Sequence, residues 1–178
     1  MSNIGFEAKP MSRLDIRNFA TQVREVLGFK SIPYLDVEEV LEFILPRALP
    51  GFAYEVRPRG EMGTNHGLAD PENRFMSLRE DVFQGMCDGQ GRDRLTVMHE
   101  VGHLLLHTKD RIVLRRSTGK PQSFCDPEWQ ANCFAGELLV AHTLIDGCLT
   151  PADAVEAFGV SHDAAVYQWR QFQNAGLL

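Results

Sequence analysis

The sequence lacks long hydrophobic runs and is poor in cysteine. Its longest unbroken apolar stretches, residues 138–141 and 164–167, are four residues each, whereas a helix that spans a bilayer needs about 20. The N-terminus shows no apolar segment followed by a small-residue cleavage site, so we expect no secretory signal and a cytoplasmic protein. The four cysteines have no C-x-x-C spacing, which predicts reduced thiols rather than a disulfide framework.

An excess of positive charge is also missing. The chain has 24 acidic and 18 basic residues, a net charge of −6, which disfavours non-specific binding to nucleic acid. Residues 151–178 superficially resemble a helix-turn-helix, but they contain three acids, Asp153, Glu156 and Asp163, and the single base Arg170. Because phosphate contacts require clustered Lys or Arg, a DNA-binding regulator is only a weak alternative.

Composition and periodicity predict one α+β domain over residues 1–178. A chain of this length that is 44% apolar and has no repeat or low-complexity tract can bury a single core. We predict a helical N-terminal part at 1–50, a small antiparallel sheet with the helices of the candidate site at 51–149, and a helical C-terminal cap at 150–178. Apolar spacing predicts helices at 11–28, 36–46, 92–108, 126–139, 150–158 and 162–173, extended segments at 51–57, 66–68 and 74–78, and a loop at 109–124.

An H-E-x-x-H element, formed by His99, Glu100 and His103, lies within the predicted helix 92–108. Histidines four residues apart are offset by about 6 Å along a helix and rotated by about 40°, so both imidazoles can face one ion. The alternative is an amphipathic helix whose histidines are hydrogen-bonded in a core. His107 continues the series about 12 Å from His99, too far to share the ion, so we expect a structural residue hydrogen-bonded to a loop.

A catalytic zinc site needs three protein ligands and one open position, so a further ligand is expected downstream. Glu128 meets this requirement at the start of the next predicted helix. Asn132 lies one turn further on the same face, where it can orient a ligand histidine. Cys125 and Asp126 are alternative ligands, but neither has such a partner one turn later. Without the upstream motif, Glu128 would be an ordinary acid in the first turn of a helix.

Residues 99–107, HEVGHLLLH, and residues 128–139, EWQANCFAGELL, are the most distinctive segments of the chain. They resemble the ImmA/IrrE family of bacterial metallopeptidases, and the likeness extends to residues 92–96 and 158–161. The resemblance implies a zincin-like, gluzincin-type domain in which His99, His103 and Glu128 bind Zn²⁺ and Glu100 is the general base. The family usually has a proline after the Glu-Leu-Leu run, where this chain has residues 140–141, Val-Ala.

The resemblance also implies a zinc-dependent endopeptidase. Family members typically act beside a helix-turn-helix repressor that they cleave or inactivate, so we expect such a repressor as the protein partner, without direct binding to nucleic acid or membrane. A zinc-stabilised module that inactivates a regulator without cutting it is the alternative. A peptidase further needs an oxyanion donor. The sequence offers His66, Tyr54, His142 and Tyr167 and selects none of them.

Overall fold

A computed structural model describes residues 4–116 and 122–178 and confirms the α+β class. Every predicted helix forms, with ends that move by a few residues, and α4 and α5 are additional. The helices are α1 (Arg13–Val26), α2 (Val37–Glu39), α3 (Leu45–Ala48), α4 (Arg59–Met62), α5 (Glu80–Cys87), α6 (Gly91–Leu106), α7 (Pro127–Leu139), α8 (Pro151–Phe158) and α9 (His162–Asn174). The strands are β1 (Ile4–Ala8), β2 (Ala53–Arg57), β3 (Gly67–Asp70), β4 (Phe75–Arg79) and β5 (Ile112–Arg116).

The second predicted helix continues past the proline at which we expected it to end. A π-helical turn, Val40–Ile44, joins α2 to α3, and Pro46 lies in the first turn of α3. Proline has no N–H to donate, so it is tolerated where the hydrogen-bond pattern of the helix shifts.

The sheet formed by β2, β3 and β4 differs from the prediction in the direction of one pairing. The strand order is β2-β4-β3, with β3 antiparallel to β4 but β2 parallel to β4. A purely antiparallel sheet is therefore a wrong prediction. The chain reverses through α4 into β3 and again into β4, so β4 runs in the direction of β2. Met76 and Leu78 are fully buried, and β4 accordingly takes the central position.

A second sheet pairs β1 with β5 in antiparallel register, with Ala8 opposite Ile112. The prediction of a loop at 109–124 is wrong for the residues of β5. Strands about 100 residues apart in sequence leave no local turn signal between them, so their pairing is not visible in the pattern. Residues 117–121, which include the predicted break at Gly119 and Pro121, lie outside the described residues.

The central helix is α6, which packs against α7, α5 and β3. Glycine at position 102 permits the close approach of α7. A Cβ atom at Gly102 would lie 3.2 Å from the Cα atom of Ala131 and 3.1 Å from Cδ1 of Phe134. The candidate site lies on α6 and α7. The spacing between these two helices therefore depends on the absence of a side chain at Gly102.

Arg94 joins α6 to two other parts of the fold. Its side chain is fully buried, and its guanidinium donates hydrogen bonds to the carbonyl oxygens of Phe158 (3.0 Å), Gly159 and Leu35 (2.6 Å). It also stacks 4.1 Å from the centre of the Tyr34 ring. These bonds hold the end of α8 and the start of the α2 segment against α6.

All four cysteines lie in the described part of the chain and are free thiols. Within the same ranges, no helix has both the length and the apolar character needed to cross a membrane.

Candidate metal centre

The helix α6 brings the imidazoles of His99 and His103 together on one face, one turn apart. Their Nε2 atoms are 3.0 Å apart and the two rings meet edge to face. Both side chains are largely buried, with 16% of each exposed. Two ring nitrogens therefore converge on one point at the surface of α6.

Glu128 reaches the same point from the first turn of α7. The helix begins there because the Asp126 side chain accepts a hydrogen bond from the Glu128 N–H (2.9 Å), and Pro127 occupies a position that needs no N–H donor. The Glu128 carboxylate places Oε2 3.3 Å from His99 Nε2 and Oε1 3.3 Å from His103 Nε2. Asp126 caps the helix, and neither it nor Cys125 belongs to the cluster.

The three ligand atoms fit one tetrahedral divalent ion. They all lie within 4.8 Å of one another. Nitrogen and oxygen ligands at about 2.0–2.1 Å from such an ion are about 3.3 Å apart, close to the separations of 3.0 and 3.3 Å found here. Two imidazoles and one carboxylate are a donor set of catalytic sites that keep a fourth position open. The Glu128 side chain is 69% exposed, so the cluster faces solvent on that side.

The ring nitrogens that face away from the cluster are also hydrogen-bonded. His99 Nδ1 lies 3.0 Å from Asn132 Oδ1. An amide oxygen only accepts, so His99 carries its proton on Nδ1 and its Nε2 lone pair faces the cluster. Asn132 follows Glu128 by one turn of α7, which thus supplies both groups.

His103 Nδ1 lies 2.9 Å from His107 Nδ1, and His107 Nε2 lies 3.1 Å from Gln130 Oε1. The predicted hydrogen bond from His107 to a loop is therefore wrong. Because α6 ends at Leu106, the ring folds back on the preceding turn and against α7. Burial lowers the pKa of His107 to about 4, so this ring is neutral.

Glu100 lies beside the cluster and against β3. Its side chain is buried, and only a glycine at position 67 leaves room for it. A Cβ atom at Gly67 would lie 2.6 Å from Glu100 Cγ and 2.8 Å from Glu100 Oε1. Burial raises the pKa of Glu100, against the opposing effect of the His99 and His103 charges. A carboxylate whose pKa is moved toward neutrality is suited to accept and return a proton.

The cluster favours positive charge beside Glu128. Hydrogen bonds from His103 and His99 hold the pKa of the Glu128 carboxyl well below its usual value. Burial alone would lower the pKa of His99, but the hydrogen bond with Glu128 and the charges of Glu100 and Glu128 outweigh burial and raise it. Protons and a metal ion would therefore compete for the same nitrogen.

Of the four candidate oxyanion donors, His66 is the one that shares a cleft with residues of the cluster. It lines a cleft of about 310 Å³ together with His99, Glu100 and Asn132. The other three make contacts elsewhere: Tyr54 with Glu42, His142 with Phe172, and Tyr167 with Arg13.

The fold and the cluster together define a metallopeptidase-like domain. The family described as IrrE N-terminal-like domain, a peptidase family designated M78, matches residues 61–170, and the chain belongs to this family. The matched range contains the whole cluster and Glu100. Comparison with curated proteins found no matching sequence.

Gly67 and Gln130 contribute to the site but were not among the residues predicted from the sequence. Gly67 directly follows the candidate His66, and a glycine inside an extended segment is a signal of close approach by another group. Gln130 is a polar residue on the inner face of a helix whose neighbours there are apolar, and it is 1% exposed. A buried amide requires partners, so its position alone would have suggested a hydrogen-bond network.

Proposed function

We propose that the protein is a zinc-dependent endopeptidase in which His99, His103 and Glu128 bind Zn²⁺ and Glu100 is the general base. The observation that carries the proposal is the convergence of two Nε2 atoms and one carboxylate within 3.0–3.3 Å beside a second, buried carboxylate, that of Glu100. This donor set and spacing suit zinc, and membership of a peptidase family supports hydrolysis of peptide bonds.

Zinc in such a centre polarises a peptide carbonyl and makes water more acidic. Glu100 accepts the proton of the attacking water and delivers it to the leaving amine. Its place against β3 fixes the carboxylate, because Gly67 leaves no free space on that side. Asn132 holds the His99 ring through its Nδ1–H, which keeps the ligand nitrogen directed at the centre.

His66 is the residue that we assign to stabilise the developing oxyanion. Its Nδ1 atom lies 3.5 Å from Arg79 Nη2, and Asp81 accepts two hydrogen bonds from the same guanidinium, at 2.6 and 3.0 Å. A guanidinium only donates, so His66 keeps its proton on Nε2. A ring nitrogen that carries a proton is a hydrogen-bond donor for the cleft that His66 lines.

The expected substrate is an extended segment of a helix-turn-helix repressor. Among the described strands β3 pairs only with β4, so its other edge is available for backbone pairing with a peptide, while one face of β3 lies against Glu100 at Gly67. The repressor as partner follows from the family resemblance, and the cytoplasm as location is the expectation drawn from the sequence. The partner and the location are the parts of the proposal that go beyond the metal centre and its chemistry.

The test is cleavage of a helix-turn-helix repressor and of extended peptides by the zinc-loaded protein. Glu100→Gln should retain zinc and lower kcat/KM by about 10²–10⁴-fold, since the base is lost and the ligands stay. Glu61→Gln, an exposed acid on α4, is the matched control and should retain full activity. If Glu100→Gln inactivates the repressor as well as the natural sequence does, the protein acts by binding and not by hydrolysis.

A further inference from the structure

A buried chain of polar side chains lies behind one of the two histidines of the cluster. It runs from His103 Nδ1 to His107 Nδ1 (2.9 Å), and from His107 Nε2 to Gln130 Oε1 (3.1 Å). Gln130 Nε2 then donates to the backbone oxygens of Lys9 (2.9 Å) and Phe124 (2.8 Å). His107 is 6% exposed and Gln130 is 1% exposed, so bulk water does not reach these groups.

The backbone acceptors of Gln130 fix the direction of every hydrogen bond in this chain of polar side chains. Carbonyl oxygens only accept, so the amide nitrogen of Gln130 must face Lys9 and Phe124, and its oxygen must face His107. His107 Nε2 therefore carries a proton. A neutral imidazole has one N–H, which makes His107 Nδ1 an acceptor, and the proton between the two rings belongs to His103 Nδ1.

We propose that His107 is a positioning residue for the ligand His103: it accepts the Nδ1 proton of His103 and so leaves the Nε2 lone pair directed at the metal centre. Gln130 fixes the orientation of His107. With His99 held in the same tautomer by Asn132, the three atoms that meet at the centre are all acceptors. Acceptors about 3 Å apart require a cation between them, either a metal ion or, in the metal-free protein, a proton that the Glu128 carboxylate shares with the histidines. The inference rests on the proposed metal centre and goes beyond it by assigning roles to His107 and Gln130.

The two histidines of the cluster are held in different ways. Asn132 is exposed, so water can replace its oxygen as the acceptor for His99. No such replacement is available behind His103, since His107 and Gln130 are buried. We therefore expect loss of the His107 acceptor to be more costly for metal binding than loss of Asn132.

Three substitutions separate positioning from packing. His107→Leu removes the acceptor and should weaken zinc or cobalt binding by about 10–100-fold, measured by competition with a chelator. His107→Asn places an amide oxygen the same number of bonds from Cα as Nδ1, so it should bind metal within a few-fold of the natural protein. Asn132→Ala is the matched control, and its metal affinity should lie between the affinities of the two His107 variants.

The tautomer can also be observed directly in the unsubstituted protein. Long-range ¹⁵N–¹H correlation spectra of the metal-free protein at about pH 8 should show His103 protonated on Nδ1 and His107 on Nε2. This measurement does not depend on whether a His107 variant folds.

Two results would overturn the inference: His103 protonated on Nε2 in those spectra, or equal loss of metal affinity in His107→Leu and His107→Asn. The inference stands if the affinities follow the expected order but no peptide is cleaved. In that case only the proposed peptidase activity fails.

Discussion

Substitution of Gly67 by alanine tests the placement of Glu100 without touching a proposed ligand. The new Cβ atom would lie 2.6 Å from Glu100 Cγ, whereas ordinary contacts begin at 3.4 Å. The Glu100 side chain must therefore move by roughly 0.8 Å or more, since the backbone of β3 is held by β4. A displacement of about 1 Å in a catalytic group costs about 10²-fold in rate. We expect kcat for peptide cleavage to fall by about that factor in Gly67→Ala.

Zinc affinity is the second readout for Gly67→Ala and should be unchanged, because His99, His103 and Glu128 lie outside the contact. Gly60→Ala is the control, since a Cβ atom at Gly60 in α4 meets no atom within 4 Å. Full activity in Gly67→Ala would show that Glu100 does not need its position against β3. Loss of zinc would show that the substitution disturbs the whole centre rather than the base.

Three further predictions concern the two site helices, the ligand protons and the core. In Gly102→Ala, the new methyl group forces α7 away from α6. We expect the free energy of unfolding to fall by about 1–2 kcal/mol, measured by denaturation, and metal binding to weaken, measured by competition with a chelator. An unchanged result in both measurements would contradict this. The pKa of His99 is raised above 6.5, so protons displace the metal from this ring as the pH falls. Zinc affinity should drop about tenfold per pH unit below that pKa. A zinc affinity that stays constant from about pH 8 to about pH 6 would refute this prediction. Arg94→Met leaves buried carbonyl oxygens without a donor and should cost about 3 kcal/mol in urea unfolding; a loss under 1 kcal/mol would contradict the role of these bonds.

The helices and the ligand candidates were predictable because their signals are local or chemical. The spacing of His99 and His103 places both on one face of any helix that contains them. Glu128 is 25 residues further on, and no periodicity connects it to them. Glu128 was indicated because a catalytic zinc needs a third protein ligand. The capping residue Asp126 and Pro127, which begin α7, placed Glu128 at the start of a helix.

The remaining features depend on contacts between distant parts of the chain. The parallel pairing of β2 with β4 requires β4 to take the central position, which it takes because it is the most buried strand, and burial is decided by the whole fold. The pairing of β1 with β5 joins segments about 100 residues apart. The positions of Gly67 against Glu100 and of His107 against Gln130 likewise arise only when two elements pack. No local pattern indicates a partner for Gly67, and the partner predicted for His107, a loop, was wrong.

The backbone oxygens of Lys9 and Phe124 that accept from Gln130 have a consequence for how the protein matures. They belong to the chain just after β1 and just before α7, and no side-chain substitution can remove a carbonyl group. These hydrogen bonds therefore do not depend on the side chains at either position, while metal uptake depends on the docking of segments more than 100 residues apart in the sequence. A nascent chain must therefore be synthesised through both segments, and both segments must dock, before it can bind an ion tightly. Tight metal binding would thus indicate that folding is complete.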